Sequence, residues 1–125
     1  MSLPRTPRQR HEADQRGREG EAEAAIYLAQ AGWQILARRV KTKAGEIDLV
    51  ARRTGLVAFV EVKWRARAAS LADAIDERRL ARVAAAVEIV WQDYARDRED
   101  IRIDVILLAP GRKPTHIENA WMPFG

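Results

Sequence analysis

Four charged residues lie inside two apolar segments of this sequence, at spacings that suit metal-assisted chemistry. Glu46 and Asp48 belong to GEIDLV, and Glu61 and Lys63 stand two residues apart in FVEVK. Acidic residues are disfavoured in strands and costly to bury without a partner. Because both segments otherwise predict strands, the carboxylates indicate a specific role.

The connection between the two segments decides whether these side chains meet. Residues two apart on a strand share a face. If the Thr-Gly pair at positions 54 and 55 forms a two-residue hairpin loop, Asp48 lies opposite Glu61. The same register places Glu46 opposite Lys63, whereas a three-residue loop would break both pairings.

Two carboxylates opposed in this way have β-carbons about 5 Å apart and destabilise a sheet unless a cation lies between them. Oxygen ligands of this kind favour Mg²⁺ or Mn²⁺. Lys63 beside them could orient a water molecule or stabilise charge on a phosphoryl group. The spacing predicts metal-assisted phosphodiester cleavage, but a plain Glu46–Lys63 ion pair and a solvated, metal-free sheet face remain alternatives.

Basic residues surround these acids. A set of arginines and lysines flanks the two segments and could contact the phosphates on either side of a cut: Arg38, Arg39, Lys41, Lys43, Arg65 and Arg67. The net charge of the chain is +4, which favours a polyanionic partner without naming one.

The elements that position these residues follow from hydrophobic periodicity and turn residues. Residues 1–16 predict a flexible basic N-terminal arm, and residues 17–125 a single domain. Helices are predicted over 18–31, with Gly32 as its stop, and from near Ser70, capped by Ser70 and Asp73, to near Arg96. Strands are predicted at 33–40, 46–53, 56–65, 101–108 and 116–121. The order α-β-β-β-α-β predicts an α/β fold with a central sheet flanked by helices.

Composition narrows the class of protein. A chain of 125 residues with 47% hydrophobic and 32% charged residues is typical of a soluble globular domain. It contains no cysteine, which excludes disulfides and thiolate chemistry and fits a cytoplasmic location. The sequence shows neither a secretory signal nor a run of about 18 apolar residues, so we expect no membrane association.

Several other polar residues have ordinary interpretations. Arg78, Arg79 and Arg82 lie away from the apolar stripe of the second helix, which predicts a solvated face, with a contact to nucleic acid as the alternative. Asp104 is interpreted as an ion-pairing acid at a sheet edge, and His116 as a surface residue.

Taken together, four segments resemble the bacterial YraN-type family of predicted endonucleases. They are GREGEAEAA, GEIDLV, FVEVK and IRIDVILL. This family is related to archaeal Holliday-junction resolvases within the PD-(D/E)xK nuclease superfamily, and the resemblance covers residues 17–121. It implies a restriction-endonuclease-like core with a central mixed sheet flanked by helices.

The resemblance also implies roles for particular residues. Asp48 and Glu61 would be the acidic metal ligands and Lys63 the catalytic lysine. Val62 would offer its backbone carbonyl to the metal, and Glu21 would be an additional catalytic and metal-binding acid. Glu21 could equally be a favourable charge at a helix N-terminus. The chain departs from the common pattern at Trp64, where a smaller residue is usual.

The function implied is a Mg²⁺- or Mn²⁺-dependent endonuclease that hydrolyses DNA, with branched or junction DNA as a candidate substrate. A homodimer is expected by analogy with the resolvases, which cut two strands. The main alternative is a non-catalytic nucleic-acid-binding module with a nuclease fold, which would bind DNA with strong salt dependence and no need for metal. A protein-interaction subunit with an incidental basic surface is a third possibility.

Overall fold

The computed structural model describes residues 4–65 and 75–121, with residues 11–16 described only by their backbone. The described residues form two helices and five strands. In chain order they are α1 (Pro7–Gln30), β1 (Gln34–Lys41), β2 (Glu46–Arg53), β3 (Leu56–Trp64), α2 (Glu77–Tyr94), β4 (Asp100–Leu108) and β5 (Thr115–Ile117). No helix in these ranges is long and apolar enough to cross a membrane.

The strands form one mixed sheet in the order β1-β2-β3-β4-β5. The first three strands are antiparallel, β3 and β4 are parallel, and β5 returns antiparallel to β4. Parallel neighbours need a crossover connection, and α2 lies between β3 and β4 in the chain. The mixed sheet with flanking helices confirms the predicted fold class and is consistent with a restriction-endonuclease-like core.

Each face of the sheet packs against one helix. On one face, Leu28 of α1 belongs to a buried cluster with Leu49 and Val60 of the sheet. On the other, Leu80 of α2 belongs to a buried cluster with Phe59. Neighbouring residues of β3 therefore point toward different helices, as strand alternation requires.

The hairpin between β2 and β3 has the predicted two-residue loop. Thr54 and Gly55 both have positive φ angles, of 24° and 74°, as the type I′ turns that suit hairpins require. Arg53 pairs with Leu56, and the pairing continues without a shift to Leu49 and Val60. The predicted register is confirmed over this length.

The start of α1 differs from the prediction. The helix begins at Pro7, so the predicted start at residue 18 is wrong. Thr6 caps it, because the Thr6 side chain accepts from the Gln9 backbone N–H and the Gln9 side chain accepts from the Thr6 backbone N–H. Gly32, with a φ of 92°, follows the helix as predicted. The division into an N-terminal arm and a single domain stays a prediction.

The other boundaries lie close to those expected, with two exceptions. Helix α2 begins at Glu77 and is capped by Asp76, whereas the predicted start and capping box at Ser70 and Asp73 fall outside the described residues. The last strand is shorter than predicted and ends at Ile117. Trp64 packs against the cluster on the α1 face, which settles its position as a core contact.

Candidate metal centre

Asp48 lies where β2 and β3 separate. Ile47 belongs to the cluster on the α2 face and Leu49 to the cluster on the α1 face, although residues two apart on a regular strand share a face. The strand is therefore irregular at Asp48, and its pairing with β3 ends at Leu49. Instead of completing a cross-strand pair, the Asp48 side chain accepts a 2.8 Å hydrogen bond from the Val62 backbone N–H.

Because the β2–β3 pairing ends at Leu49 and Val60, the predicted cross-strand pairs of Asp48 with Glu61 and of Glu46 with Lys63 are not formed. The register that would place Asp48 opposite Glu61 is present, but the described pairing stops one position before it. The carboxyls of these two residues still lie close enough for the charge of Glu61 to raise the pKa of Asp48. The predicted pair of Glu46 with Lys63 likewise lies beyond the end of the ladder.

Glu46 joins a cluster of acids. Thr42 shapes the turn before it, because its hydroxyl accepts from the Ala44 and Gly45 backbone N–H groups and donates to the Gly45 carbonyl. This turn begins β2 at Glu46, whose carboxylate is grouped with those of Glu21 and Asp48. One oxygen from each of the three lies within 4.8 Å of the others.

Glu21 comes from α1, which approaches the sheet closely at this point. A β-carbon built on Gly20 would lie 3.4 Å from the Leu108 side chain, so a residue without a side chain lets the helix pack tightly against β4. The next residue, Glu21, is only 9% exposed. It accepts a 2.7 Å hydrogen bond from Arg39 Nε of β1. The structure thus brings Glu21 to Asp48, as the family resemblance implied.

Glu61 is the most deeply buried acid of the group, with 1% of its surface exposed. Its Oε1 accepts from Arg79 Nε of α2. Its Oε2 is buried and accepts no hydrogen bond from the described residues while Asp48 is ionised, although a protonated Asp48 lies within hydrogen-bonding range of Glu61. A buried, unpartnered carboxylate oxygen is costly, and a bound cation would remove that cost.

Burial shifts the pKa values of Asp48 and Lys63 in opposite directions. Burial, together with the charge of Glu61, raises the pKa of Asp48 from 3.8 to about 8. Lys63 is 6% exposed, and burial and the nearby Arg65 lower its pKa. Asp76 and Glu61 act in the opposite direction and favour the charged lysine. Lys63 therefore lies within electrostatic range of both Glu61 and Asp76, the N-cap of α2.

The donor set fits a hard divalent cation. Glu21, Glu46 and Asp48 bring carboxylate oxygens together from α1 and β2, and Mg²⁺ and Mn²⁺ prefer such ligands. Glu61 of β3 lies outside this group of three but close enough to Asp48 to raise its pKa. The ligand role expected for the Val62 carbonyl stays a prediction, since the structure shows only its N–H bonded to Asp48.

The basic residues predicted to contact phosphate divide into three groups. Arg38, Lys41 and Lys43 lie exposed on or after β1, and Arg65 is exposed after β3. The β1 residue Lys41 pairs with Glu46, so positive charge borders the acidic cluster. Arg39 is partly buried and already paired with Glu21. Position 67, the remaining arginine, lies outside the described residues.

Two contributors to the site were not identified from the sequence. Glu46 was assigned to a pair with Lys63, although its place two residues before Asp48 was the available signal. The sequence predicts Arg79 on a solvated helix face, and its side chain is indeed 55% exposed, but the contact of its guanidinium with Glu61 was not predicted. The spacing of apolar residues along α2 does not predict which polar side chains of the helix contact β3.

A second polar cluster lies elsewhere, on β4 and β5. Asp104 is fully buried. Its carboxylate accepts hydrogen bonds from the Arg102 side chain, from the Asn119 backbone N–H and, at 2.7 Å, from His116 Nε2. The predicted ion pair of Asp104 is confirmed, but its predicted position at a sheet edge is wrong, because β4 lies between β3 and β5. The same contact shows that the prediction of a surface His116 was wrong, since its side chain is 9% exposed.

Comparison with known proteins finds similarity to an uncharacterised protein family. A family model described as "Uncharacterised protein family UPF0102" matches residues 20–108. A UPF0102 protein from Erythrobacter litoralis is 65% identical over 111 residues, covering 89% of this chain and 96% of the relative. Another from Sphingopyxis alaskensis is 54% identical with the same coverage, and one from Rhizorhabdus wittichii is 53% identical over 87% of this chain and 92% of its own length.

Proposed function

The chain belongs to the uncharacterised protein family UPF0102, the YraN-type family that its motifs resemble, and from the geometry of its site we propose that it is a metal-dependent endonuclease. The reaction is hydrolysis of phosphodiester bonds in DNA, with Mg²⁺ or Mn²⁺ as the metal. Branched or junction DNA is the candidate substrate class.

The buried Glu61 carboxylate is the observation that supports this proposal best. One of its oxygens has no partner among the described residues, and it lies close enough to Asp48 to raise that residue's pKa. A stable fold gains little from two neighbouring buried acids, since each charge disfavours the other. A divalent cation turns this repulsion into attraction.

Each residue then has a distinct task. Asp48 and Glu61 hold the metal, and the Val62 N–H keeps the Asp48 carboxylate oriented. Glu21 and Glu46 each bring a carboxylate oxygen within 4.8 Å of one from Asp48 and hold the metal or its water. The metal itself supplies a Lewis acid that withdraws charge from the scissile phosphate.

Lys63 contributes a hydrogen-bond donor from a nearly dry position. Its side chain alternates with Val62 on β3 and shares the face of Glu61. A buried ammonium group stabilises developing negative charge more strongly than an exposed one. Lys63 therefore orients the attacking water or stabilises a phosphoryl oxygen.

The exposed cations of β1 and of the turn after it support a nucleic acid as the substrate. Arg38, Lys41 and Lys43 are exposed near the acidic cluster. Cations placed there hold the phosphates that flank the cut without reading sequence. Replacing all three with alanine is expected to weaken DNA binding and to reduce its salt dependence, because fewer counterions are released.

The decisive experiment is a cleavage assay on linear, flapped and four-way-junction DNA with Mg²⁺ or Mn²⁺. Wild type is expected to cut at least one of these substrates, and Glu61→Gln and Lys63→Ala are expected to abolish cutting. Glu88→Gln and Lys113→Ala change exposed residues of the same charge types and are expected to cut like wild type.

The non-catalytic alternative predicts a different pattern. In that case wild type binds DNA with strong salt dependence, cuts none of the three substrates and binds DNA equally well in EDTA. Such a result, or full activity in Glu61→Gln, contradicts the proposed reaction.

A further inference from the structure

Arg79 links the first turn of α2 to the candidate metal centre. Its guanidinium Nε donates to Glu61 Oε1, while its backbone N–H is held by the side chain of Asp76, the N-cap of the helix. Hydrogen bonds therefore hold both the backbone and the side chain of Arg79. Because the side chain starts from a capped helix turn, its approach to Glu61 is set by the packing of α2 on the sheet.

The contact divides the two oxygens of Glu61 between different tasks. Oε1 is used by Arg79, whereas Oε2 is buried and without a partner among the described residues. A carboxylate held by one oxygen cannot rotate freely, so its other oxygen keeps a fixed direction. Hydrogen bonds to ligating carboxylates commonly orient them in this way.

The opposite role would be competition, in which the guanidinium acts as a substitute cation and must leave before a metal binds. Two observations favour orientation over competition. The oxygen of Glu61 that lacks a partner among the described residues is not the one that Arg79 occupies. The Arg79 side chain is also 55% exposed, so water screens its repulsion of a nearby divalent ion.

We propose that Arg79 is a positioning residue that holds Glu61 by one oxygen and thereby directs the other oxygen to a divalent metal. The inference rests on the metal site of the proposed function, and it extends that function by making metal affinity depend on the first turn of α2. Arg79 acts through Glu61 and needs no contact with the metal or the substrate.

The test measures Mn²⁺ binding by the full-length protein without DNA, from the electron paramagnetic resonance signal of free Mn²⁺. Arg79→Ala is expected to weaken Mn²⁺ binding by about 10- to 100-fold, the usual effect of removing a partner of a metal ligand. Arg78→Ala is the matched control, because Arg78 is exposed on the same helix turn. It removes the same charge and is expected to leave the affinity unchanged.

Arg79→Lys provides a second test in case Arg79→Ala does not fold, because lysine retains the positive charge beside the buried Glu61. Its Mn²⁺ affinity is expected to fall between those of wild type and Arg79→Ala, while Arg78→Lys binds like wild type. If Arg79→Ala folds poorly, Arg79→Lys decides alone, and an affinity equal to that of wild type overturns the inference.

The outcomes separate this inference from the proposed function. If wild type binds no Mn²⁺, the metal site itself is absent and both fail. If wild type binds Mn²⁺ and folded Arg79→Ala binds it equally well, only the positioning role fails. Tighter binding by Arg79→Ala also overturns the inference, since that is the result expected of a competing cation.

Discussion

The buried carboxylate of Asp48 should make the metal-free protein less stable as the pH rises. Burial and the charge of Glu61 raise the pKa of Asp48 from 3.8 to about 8. A group whose pKa is raised by folding binds its proton more tightly in the folded state. Its contribution to stability is therefore complete below the unfolded value and is lost as the pH rises through the folded value.

The magnitude follows from the size of the shift. At about 1.4 kcal/mol per pKa unit, the change from 3.8 to about 8 corresponds to roughly 6 kcal/mol. Between about pH 5 and about pH 8, where ordinary carboxylates are already ionised, up to roughly 4 kcal/mol of this should disappear. That is a large fraction of the stability of a small domain.

Urea unfolding in EDTA, followed by tryptophan fluorescence at several pH values, measures this loss directly. Asp48→Asn keeps the shape and the acceptor for the Val62 N–H but cannot ionise. Its free energy of unfolding should change much less across the same pH range. Asp93→Asn alters an exposed acid and should follow the wild-type curve.

Metal provides an independent check on the same reasoning. Saturating Mn²⁺ should restore the stability of wild type at the upper end of the range, by about 2.7 kcal/mol at a hundredfold excess over the dissociation constant. Asp48→Asn should gain less. Parallel losses of stability in wild type and Asp48→Asn as the pH rises would show that Asp48 does not retain its proton, and the reasoning from burial would be refuted.

Three further predictions concern the framework that holds the site. Leu80→Ala removes a 1%-exposed side chain of α2 and should lower the free energy of urea unfolding by about 2–5 kcal/mol; a loss near zero would show that α2 packs loosely on the sheet. Gly55→Ala forces a φ of 74° on a residue with a β-carbon, which should cost about 1–2 kcal/mol in the same assay, and an unchanged midpoint would contradict the turn. Burial raises the pKa of Asp104, but hydrogen bonds from His116, Arg102 and Asn119 outweigh burial and leave the pKa lowered. The stability that Asp104 contributes is therefore present above its unfolded pKa of 3.8 and is lost as the pH falls. Asp104→Ala should therefore cost about 3–5 kcal/mol near neutral pH and flatten the acid part of the stability curve, whereas an unaltered acid part would argue against the ionised cluster.

The helices show where the sequence was informative and where it was not. The apolar spacing that predicted α2 corresponds to buried Leu80, Val83 and Val87. The first half of α1 has no such spacing, because the described side chains there are exposed, and a helix that buries little leaves no apolar period to detect. The capping signal of Thr6 and Gln9 was nevertheless present in the sequence and marks the true start.

The site shows the same division between local and distant information. The family resemblance assigned roles to Glu21, Asp48, Glu61 and Lys63, and these roles stay predictions; the structure brings Glu21 to Asp48 and places Glu61 within electrostatic range of Asp48 and Lys63. Spacing alone suggested simple cross-strand pairs instead, because it assumes that both strands remain regular to their ends. The irregularity at Asp48 could not be deduced from the alternation of residue types.

What the sequence by itself determined was local: the Thr-Gly turn, the β2–β3 register and the alternation that directs Glu61 and Lys63 toward one face. These follow from backbone geometry over a few residues. Only the tertiary structure decided that Arg79 would reach Glu61 and that Glu46 would join Glu21. The reason is physical: each contact joins elements distant in the chain, and their approach is set by how closely α1 and α2 pack on the two faces of the sheet.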